Sequence, residues 1–410
     1  MKNKILPIFV TGLALIATSC NNPTPIGEVV EPFSVPTIIL DEDYDEPPVS
    51  DGKEKTYSLS EVNVPSNDIH TKEQLAYIMS GYNSVSSFAK GNKELSKSNA
   101  ITFVVGEEIE EYDEYYIEVS ESKDFKESMF FETTSNSVDV LNLKSGTTYY
   151  FRGAEDVVSL AKEPFSTLIT ANTLPRNLSI DGITNVRDIG GYMSKMGGKI
   201  RQGLYYRGGR FNVTDEKTTI NQESTYKADL TEEGYRQLVE DIGLKTEIDL
   251  RMNESHYTST YAHEYGMITN DTFEDIEYVA FPLNWTVSNM MTAEKETIGK
   301  IFKFLADPDV YPVYLHCNIG TDRTGMCTYL LGTLLGIPQE DLYRDYLFSN
   351  FGNIGGSRDI SKISNTYKPT LLAFNEDNLY YDVRAYLNSC GVTDEELNSI
   401  IDIFIDLDIY

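Results

Sequence analysis

The chain has 410 residues and a formal net charge of −30, because 64 Asp and Glu residues outnumber 34 Lys and Arg residues. Nucleic acids bind clustered cationic side chains through their phosphate backbones, so the acidic composition argues against a nucleic-acid partner. The four histidines stand at positions 70, 256, 263 and 316, a spacing that offers no zinc site. We therefore expect neither a metal nor another cofactor.

The first residues predict export from the cytoplasm. Lys2 and Lys4 precede an apolar run over 5–17, which is typical of a signal peptide rather than a membrane-spanning helix. The small residues directly before Cys20 resemble a bacterial lipoprotein processing site. Residues 1–19 are then the signal peptide, and Cys20 carries the lipid that anchors the protein to a membrane of the cell envelope. We expect the outer membrane, with the protein facing the periplasm or the surface; a cleaved signal with an incidental cysteine is the alternative.

Residues 20–55 are rich in proline and acidic residues and have too little apolar content to fold, so they predict a disordered tether. From 56 to 174 the pattern changes to alternation with a period of two, which predicts an all-β sandwich. The clearest strands are expected at 115–119, 129–131, 138–141 and 149–152, and a helix is expected over 71–80. The segment 143–149 resembles the corner of fibronectin type III sandwiches, where a tyrosine hydroxyl, here that of Tyr149, bonds back to the backbone.

Residues 176–410 alternate helical and strand patterns, which predicts an α/β domain with a single core. Thr231 is expected to cap a helix that ends at Asp241. Strands are predicted at 245–250, 276–281 and 310–315, and further helices around 298–305, 326–335, 339–349 and 394–405.

The segment 316–325 lies between a predicted buried strand and a predicted helix. Unpaired amides and the positive end of the helix dipole favour an anion at such a turn, and they also favour a thiolate over a thiol. Cys317 is the candidate nucleophile, and Arg323 can hold two phosphoryl oxygens in fork geometry. Thr324 can donate a hydrogen bond to the sulfur, and His316 is expected to brace the loop. The predicted phosphate-binding residues of the loop are Asn318, Ile319, Gly320, Thr321 and Thr324.

Four segments together resemble a bacterial branch of the protein tyrosine phosphatase superfamily, the atypical tyrosine and dual-specificity phosphatases, which include phosphoinositide-active members. They are an Asn-x-Arg-Asp-x-Gly-Gly motif at 185–191, Tyr206-Arg207-Gly208-Gly209 where the family usually has Tyr-Arg-Ser-Gly, Asp249-Leu250-Arg251 followed by Glu254, and His-Cys-x-x-Gly-x-Asp-Arg-Thr-Gly at 316–325. Their order and spacing agree with the family over 176–410. The resemblance implies a phosphotyrosine-phosphatase-like fold and a cysteine-dependent protein-tyrosine phosphatase.

Transfer of a phosphoryl group to a cysteine needs an acid that protonates the leaving oxygen and then activates water. The stretch 281–285, where better-known tyrosine phosphatases carry that acid, contains no carboxylate. The resemblance implies that Asp322 takes the role. The alternative is that Asp322 only pairs with an arginine and shapes the loop, in which case Glu254 is the reserve acid.

Thr321 occupies a position where lipid-active relatives often carry lysine, which lowers the expectation of a phosphoinositide substrate. Lys195, Lys199, Arg201, Arg207 and Arg210 form a stretch without acidic residues, which is either a cationic wall that guides phosphate or a solvated hairpin. Within this set Arg207 is expected to contact substrate. Three other motif residues, Arg187, Asp188 and Arg251, are expected to support the loop.

The favoured function is a phosphomonoesterase that acts on phosphotyrosine, with dual-specificity or phosphoinositide activity also open. The alternatives are an inositol-phosphate hydrolase on the same loop and a surface protein that binds phosphorylated ligands without hydrolysis. The expected partners are a phosphorylated protein or small phosphoester and, through Cys20, a membrane. Lipidation of Cys20 leaves an odd number of cysteines, so no disulfide framework is expected.

Overall fold

The computed structural model of the chain describes residues 64–80, 87–104, 114–135, 137–211, 230–251 and 275–406. The predicted signal peptide (1–19), the lipidation site Cys20, the tether (20–55) and the reserve acid Glu254 lie outside the described residues. Across these ranges, the helices are all too short or too polar to cross a membrane.

The first half of the described chain contains two helices and six strands. They are α1 Lys72–Ser80, β1 Ile101–Val104, β2 Tyr115–Ser120, β3 Ser128–Thr133, β4 Ser137–Val140, β5 Thr148–Ala154, α2 Val157–Leu160 and β6 Ser166–Ile169. Strands β3-β2-β5-β6 form an antiparallel sheet in that order, and β1 pairs with β4. Inward-facing residues of both sheets, such as Phe103 and Phe151, share one core. The four strands predicted from alternation are confirmed.

Tyr149 ties the turn between β4 and β5 to the start of β5. Its side chain is 2% exposed, and its hydroxyl accepts a hydrogen bond of 2.8 Å from the backbone N–H of Lys144. The predicted contact between this hydroxyl and the upstream backbone is confirmed. A buried hydroxyl left without a partner would be unfavourable, so this bond fixes the path of the turn.

The predicted helix over 71–80 is confirmed as α1, but it packs outside the β-sheet core. The Tyr77 ring is fully buried against Phe348 and Phe351, with ring centroids 6.2 and 5.6 Å away, and its hydroxyl donates to the carbonyl of Arg344. Tyr77 therefore belongs to the core of the second domain. Part of the range that the sequence assigned to the sandwich is thus packed on its neighbour, because the apolar face of α1 finds its partners there.

The second half contains the remaining helices and strands. They are β7 Arg176–Asn177, β8 Arg187–Asp188, β9 Lys199–Ile200, β10 Tyr205–Gly208, α3 Glu232–Arg236 continued by a π-turn at Gln237–Asp241, β11 Thr246–Asp249, β12 Glu277–Ala280, α4 Met290–Ala293, α5 Lys295–Leu305, β13 Val313–His316, α6 Asp322–Leu334, α7 Gln339–Phe348, α8 Lys368–Leu372, α9 Leu379–Ser389, α10 Asp394–Phe404 and β14 Ile405–Asp406. The predicted cap is confirmed, because the Thr231 hydroxyl accepts from the Gly234 N–H.

A six-stranded sheet in the order β12-β11-β13-β10-β8-β7 forms the centre of this α/β domain. Strands β12, β11, β13 and β10 are parallel, and β8 is antiparallel to β10. Strand β7 is antiparallel to β8 and therefore runs in the same direction as β10. His316 at the end of β13 is level with Gly208 on β10 and Asp249 on β11. Three motifs that are distant in sequence therefore meet at the carboxyl edge of the sheet, where α/β folds place their sites.

Strand β10 corrects one of the two interpretations of the cationic stretch. The start of the stretch is a hairpin, with an antiparallel bridge between Met193 and Lys199 and an exposed Lys195. Further on, Tyr205 and Tyr206 are 0% and 2% exposed, and β10 is a central strand between β13 and β8, so the hairpin interpretation is wrong for this part. The sequence pattern misses this because a strand buried on both faces does not alternate in polarity. Helix α6 is buried along nearly its whole length and packs against α7 and α9.

Candidate active site

The loop between β13 and α6 is short and needs a glycine. Strand β13 ends at His316 and α6 begins at Asp322, so only residues 317–321 form the turn. Gly320 has φ of 69°, in the left-handed region, and a Cβ atom there would lie 2.1 Å from the carbonyl oxygen of Gly208. No other residue fits this close approach, which lets the loop fold tightly against β10.

Cys317 is the first residue of this loop and is 2% exposed. Burial alone raises the pKa of its thiol, but the guanidinium of Arg323 and hydrogen bonds from Thr324 outweigh burial and hold the pKa below its ordinary value. The Thr324 hydroxyl is buried without a hydrogen-bond partner among the described residues, so it is available to the sulfur, whose pKa it helps to lower. The site therefore favours a thiolate at rest.

Arg323 lies in the first turn of α6 and is 4% exposed. Its Nη1 donates to the carbonyl oxygens of Leu250 and Leu283 at 3.1 and 3.4 Å. These carbonyls come from the segments after β11 and β12, so two neighbouring strands fix the guanidinium beside Cys317. A guanidinium carries five N–H donors in a planar fork, a geometry that suits the binding of a phosphoryl group.

His316 is held by a buried network under the loop. Its Nε2 lies 2.7 Å from Glu247 Oε1, and its Nδ1 lies 3.0 Å from the carbonyl oxygen of Cys317. Burial lowers the pKa of His316, but the carboxylates of Asp249 and Glu247 outweigh it and raise the pKa. A protonated imidazole can donate from both nitrogens, so it can bond Glu247 and the Cys317 carbonyl at the same time.

Glu247, Asp249 and His316 lie within reach of a single metal ion, but the contacts are those of an ion-pair network. Arg251 is fully buried and donates to both oxygens of Asp249, from Nε to Oδ1 at 3.0 Å and from Nη2 to Oδ2 at 2.7 Å. Burial raises the pKa of Asp249, but Arg251 outweighs it and keeps the pKa well below its usual range. Glu247 was not found from the sequence, although a charged residue inside an apolar strand is a signal for a buried partner.

The carboxylate of Asp322 lies at the start of α6 and is held by two side chains. Arg358 donates from Nε to Oδ1 and from Nη2 to Oδ2, both at 3.2 Å, and the Tyr346 hydroxyl lies 3.4 Å from Oδ1. The side chains of Arg358 and Asp322 are 28% and 32% exposed, so the pair stands at the surface of the site. This is the arginine contact that the alternative interpretation of Asp322 expected.

Arg207 does not occupy the position that the sequence predicted. It is 1% exposed and donates to Asp345 Oδ2 at 2.6 Å and to the carbonyl oxygen of Gly320 at 2.7 Å. The expectation that Arg207 contacts substrate is therefore corrected: β10 is a buried strand, and its arginine points under the loop. Asp345, which follows the loop helix in sequence, was missed.

Asp345 joins Arg207 to Arg187. Arg187 is fully buried, donates from Nε to Asp345 Oδ1 at 2.9 Å, and also bonds the Ser349 hydroxyl. Asp188 is equally buried and accepts from Arg176 Nη1 at 2.7 Å. These contacts hold β8, β10 and α7 together around the loop.

The five cations of the predicted cationic wall do not share one surface. Arg201 donates to the carbonyls of Asp402 and Ile403 at the end of α10, away from the loop, and Lys199 lies on β9, which pairs with β14. Arg210 does reach the loop, where its guanidinium donates to the Asn318 side chain. The cationic-wall interpretation is therefore wrong for the stretch as a whole.

Polar groups behind the loop fix its remaining residues. Asn185 Nδ2 donates to the carbonyl of Ile319 at 3.0 Å and lies 3.4 Å from the hydroxyl of Thr321. Thr321 is fully buried. Because these carbonyls and hydroxyls point into the protein, the loop amides are left to face the opposite side, as an anion cradle requires.

Residues 178–406 match the model of the tyrosine phosphatase family. A putative tyrosine-protein phosphatase of Cupriavidus necator is 27% identical over 206 residues, which cover 43% of this chain and 64% of that protein. The chain therefore matches less than two thirds of that relative's length.

Two solved structures are also similar to part of the chain. The core catalytic domain of the PP-IP phosphatase Siw14 from S. cerevisiae, in complex with citrate, is 17% identical, with a TM-score of 0.26, over 42% of this chain and 87% of that chain. TpbA from P. aeruginosa is 12% identical, with a TM-score of 0.24, over 54% of this chain and 91% of that chain. The match to the family model spans more than half of the chain and contains all four motifs, so the chain belongs to the tyrosine phosphatase family of cysteine-dependent phosphatases.

Proposed function

We propose that the protein hydrolyses phosphomonoesters through a phosphocysteine intermediate and that phosphotyrosine is its preferred substrate. The observation that carries the proposal is the site around Cys317, whose thiol pKa is lowered by Arg323 and Thr324 at the N-terminus of a buried helix. A thiolate next to an arginine and a ring of inward-facing amides is suited to attack on a bound phosphoryl group.

The reaction has two steps. In the first, the Cys317 sulfur forms a bond to phosphorus, the bond to the ester oxygen breaks, and Asp322 gives its proton to that oxygen. In the second, Asp322 takes a proton from water as the water oxygen bonds phosphorus, the bond to sulfur breaks, and inorganic phosphate leaves. Arg323 and the amides of 318–324 hold the phosphoryl oxygens in both steps, and the Thr324 hydroxyl stabilises the departing thiolate.

The choice of phosphotyrosine over polyphosphorylated lipids or inositol phosphates rests on the cations near the loop. Thr321 is buried and adds no charge where lipid-active relatives often carry lysine. The Arg207 guanidinium donates hydrogen bonds to Asp345 and to the carbonyl oxygen of Gly320. The two other arginines near the loop also have side-chain partners, Arg358 with Asp322 and Arg210 with Asn318. A substrate with several phosphates would have to compete with these partners for its additional phosphates.

A substrate panel tests the proposal. We expect the reduced protein to hydrolyse a phosphotyrosine peptide with a higher kcat/KM than inositol phosphates or phosphoinositide vesicles. Higher kcat/KM for an inositol phosphate would favour the inositol-phosphate hydrolase instead. Binding of these ligands without turnover would favour a phospho-ligand-binding protein.

We further propose that residues 56–174 include a fibronectin type III-like sandwich and that residues 176–410 are the catalytic domain. The order β3-β2-β5-β6 with a second sheet of β1 and β4, together with the Tyr149 hydrogen bond at the turn before β5, supports the assignment. The proposal concerns architecture only. An experimental structure with a different strand order would contradict it.

We also propose that the protein is a lipoprotein of the bacterial cell envelope, anchored through Cys20 after removal of residues 1–19. The support is the signal-like sequence and the small residues before Cys20. Metabolic labelling with a fatty acid is the test: the wild-type protein should take up label, and the Cys20→Ser variant should not. Equal labelling of the two would rule out this anchor.

A further inference from the structure

Arg358 holds the carboxylate of Asp322 with two N–H groups, one to each oxygen at 3.2 Å. This two-point geometry sets the plane of the carboxylate as well as its position. The Tyr346 hydroxyl, 3.4 Å from Oδ1, approaches the carboxylate as well. An acid that must meet a leaving oxygen needs such fixed orientation, because small displacements are costly to catalysis.

The place of Arg358 depends on Asn350, which is 1% exposed. Asn350 Nδ2 donates to the carbonyl of Arg358 at 2.9 Å, and Asn350 Oδ1 accepts from the Arg358 N–H at 2.6 Å. The amide side chain thus pairs with the backbone of Arg358 in the way that one strand pairs with another. The segment from 350 to 358 is therefore closed into a loop with Arg358 at its end.

This loop is in turn held by residues 87–95, which we name the bracing segment. The N–H of Gly91 donates to the carbonyl of Asn350 at 2.7 Å, and the carbonyl of Gly91 accepts from the N–H groups of Ile354 and Gly356 at 3.0 and 3.1 Å. The N–H of Leu95 donates to the carbonyl of Phe351 at 2.6 Å. The bracing segment lies well before residue 178, where the match to the family model begins.

Gly91 is the point of closest approach. Its φ is 67°, and a Cβ atom there would lie 2.4 Å from the carbonyl oxygen of Gly356. Any side chain at this position must push the loop of 350–358 away from the bracing segment. A backbone atom is the obstacle, so the displacement cannot be absorbed by rotation of a side chain.

We propose that Arg358 is a positioning residue for Asp322, and that the bracing segment, although outside the matched family region, sets its position in the active site. The proposal rests on the role of Asp322 as the acid in the proposed function. If the proposal holds, full activity of the catalytic domain requires residues 87–95, which precede it in sequence. The effect passes from Gly91 to the 350–358 loop, then to Arg358, and then to Asp322.

The test is the dependence of kcat/KM on the basicity of the leaving group, measured with a series of aryl phosphates. An acid matters most when the leaving phenolate is most basic, so Asp322→Asn should lose about 100-fold on the most basic leaving group and far less on the least basic one. Arg358→Met should show the same pattern with a loss of about tenfold on the most basic leaving group. Arg358→Lys keeps the charge without the fork and should fall between wild type and Arg358→Met.

Gly91→Ala should reproduce the pattern of Arg358→Met, although residue 91 is remote in sequence from the loop of 316–325. If this variant does not fold, Asn350→Asp provides the second route, because it replaces the amide that donates to the Arg358 carbonyl. Arg344→Met is the matched control, since Arg344 forms a similarly exposed pair with Asp341 on α7 and does not contact Asp322. It should keep the wild-type dependence on the leaving group.

The outcomes separate this inference from the proposed function. If Asp322→Asn lowers kcat/KM equally for all leaving groups, the acid assignment itself is wrong. If Asp322→Asn shows the expected pattern but Arg358→Met lowers all substrates equally or not at all, Arg358 does not position the acid. Wild-type leaving-group dependence in the folded Gly91→Ala variant would overturn the role of the bracing segment. The same result in Asn350→Asp would show that the 350–358 loop does not position Arg358, and would remove the route by which the bracing segment acts.

Discussion

The guanidinium of Arg207 donates a hydrogen bond of 2.7 Å to the carbonyl oxygen of Gly320, so an arginine of β10 supports the phosphate-binding loop from within the protein. The same guanidinium pairs with Asp345 at 2.6 Å. Asp345 also receives Arg187, so one carboxylate joins two arginines from neighbouring strands to α7. The loop therefore rests on a buried ion-pair network before any substrate binds.

Arg207→Met should destabilise the protein by about 3 kcal/mol, because it removes one partner of a buried ion pair and leaves the Gly320 carbonyl without its donor. Urea unfolding of wild type and variant measures this. Arg236→Met, which removes an arginine on α3 whose side chain is 22% exposed, is the control and should cost less than about 1 kcal/mol. A higher KM for Arg207→Met with unchanged stability would instead show that Arg207 binds substrate.

Gly208→Ser restores the residue that the family usually has, yet we expect it to destabilise this chain by about 2 kcal/mol. A Cβ atom at Gly208 would lie 2.1 Å from the Tyr314 hydroxyl oxygen, which donates to the Gly209 carbonyl. Tyr314→Phe alone should cost about 1 kcal/mol for the lost hydrogen bond. The double variant should lose less unfolding free energy than the two single variants lose together, because removal of the Tyr314 hydroxyl relieves the clash with the side chain at position 208. Strictly additive losses in urea unfolding would contradict the steric explanation.

Cys317 should react with iodoacetamide at pH values where an ordinary thiol is protonated, because Arg323 and Thr324 lower its pKa. Burial raises the pKa of Cys327 to about 12, so this thiol should stay unmodified and serves as an internal reference. A lowered pKa means that the Cys317 thiolate persists to lower pH in the wild type. Arg323→Met removes the main cause of that lowering, so the onset of Cys317 alkylation should move to higher pH. Peptide mass spectrometry across a pH series distinguishes the two thiols. An onset at the same pH in wild type and Arg323→Met would contradict the assigned cause.

Tyr149→Phe should lower the free energy of unfolding by about 1 kcal/mol, because the Lys144 N–H loses its acceptor. The same variant should leave kcat/KM unchanged, since Tyr149 belongs to the core of the β-sheet region. Urea unfolding and an aryl phosphate assay on one preparation check both parts. A loss of activity without a loss of stability would show that this turn acts on the active site.

The motif letters were enough to predict the ends of the loop, because Cys317 and Arg323 are close in sequence and the strand and helix around them have clear periodicity. Alternation likewise predicted β2 to β5. The partners of the site residues could not be predicted, because they are far away in sequence. Glu247 lies 69 positions from His316, Asp345 lies 138 positions from Arg207, and Arg358 lies 36 positions from Asp322. Such pairs are created by the order of strands in the sheet, which one sequence does not reveal. Arg207 was misassigned for the same reason, since its side chain direction depends on which strands flank β10.

The central claim, that Cys317 is the nucleophile, is tested most directly by acid quench of the reduced protein during turnover of a phosphotyrosine peptide, followed by mass spectrometry of the peptide that contains residue 317. Slowing of the second step in Asp322→Asn should increase the trapped species. We predict a phosphoryl group on Cys317 in wild type and Asp322→Asn, and neither phosphorylation nor turnover in Cys317→Ser. Continued hydrolysis by Cys317→Ser, or turnover by the wild-type protein with the phosphoryl group on another residue, would contradict the claim.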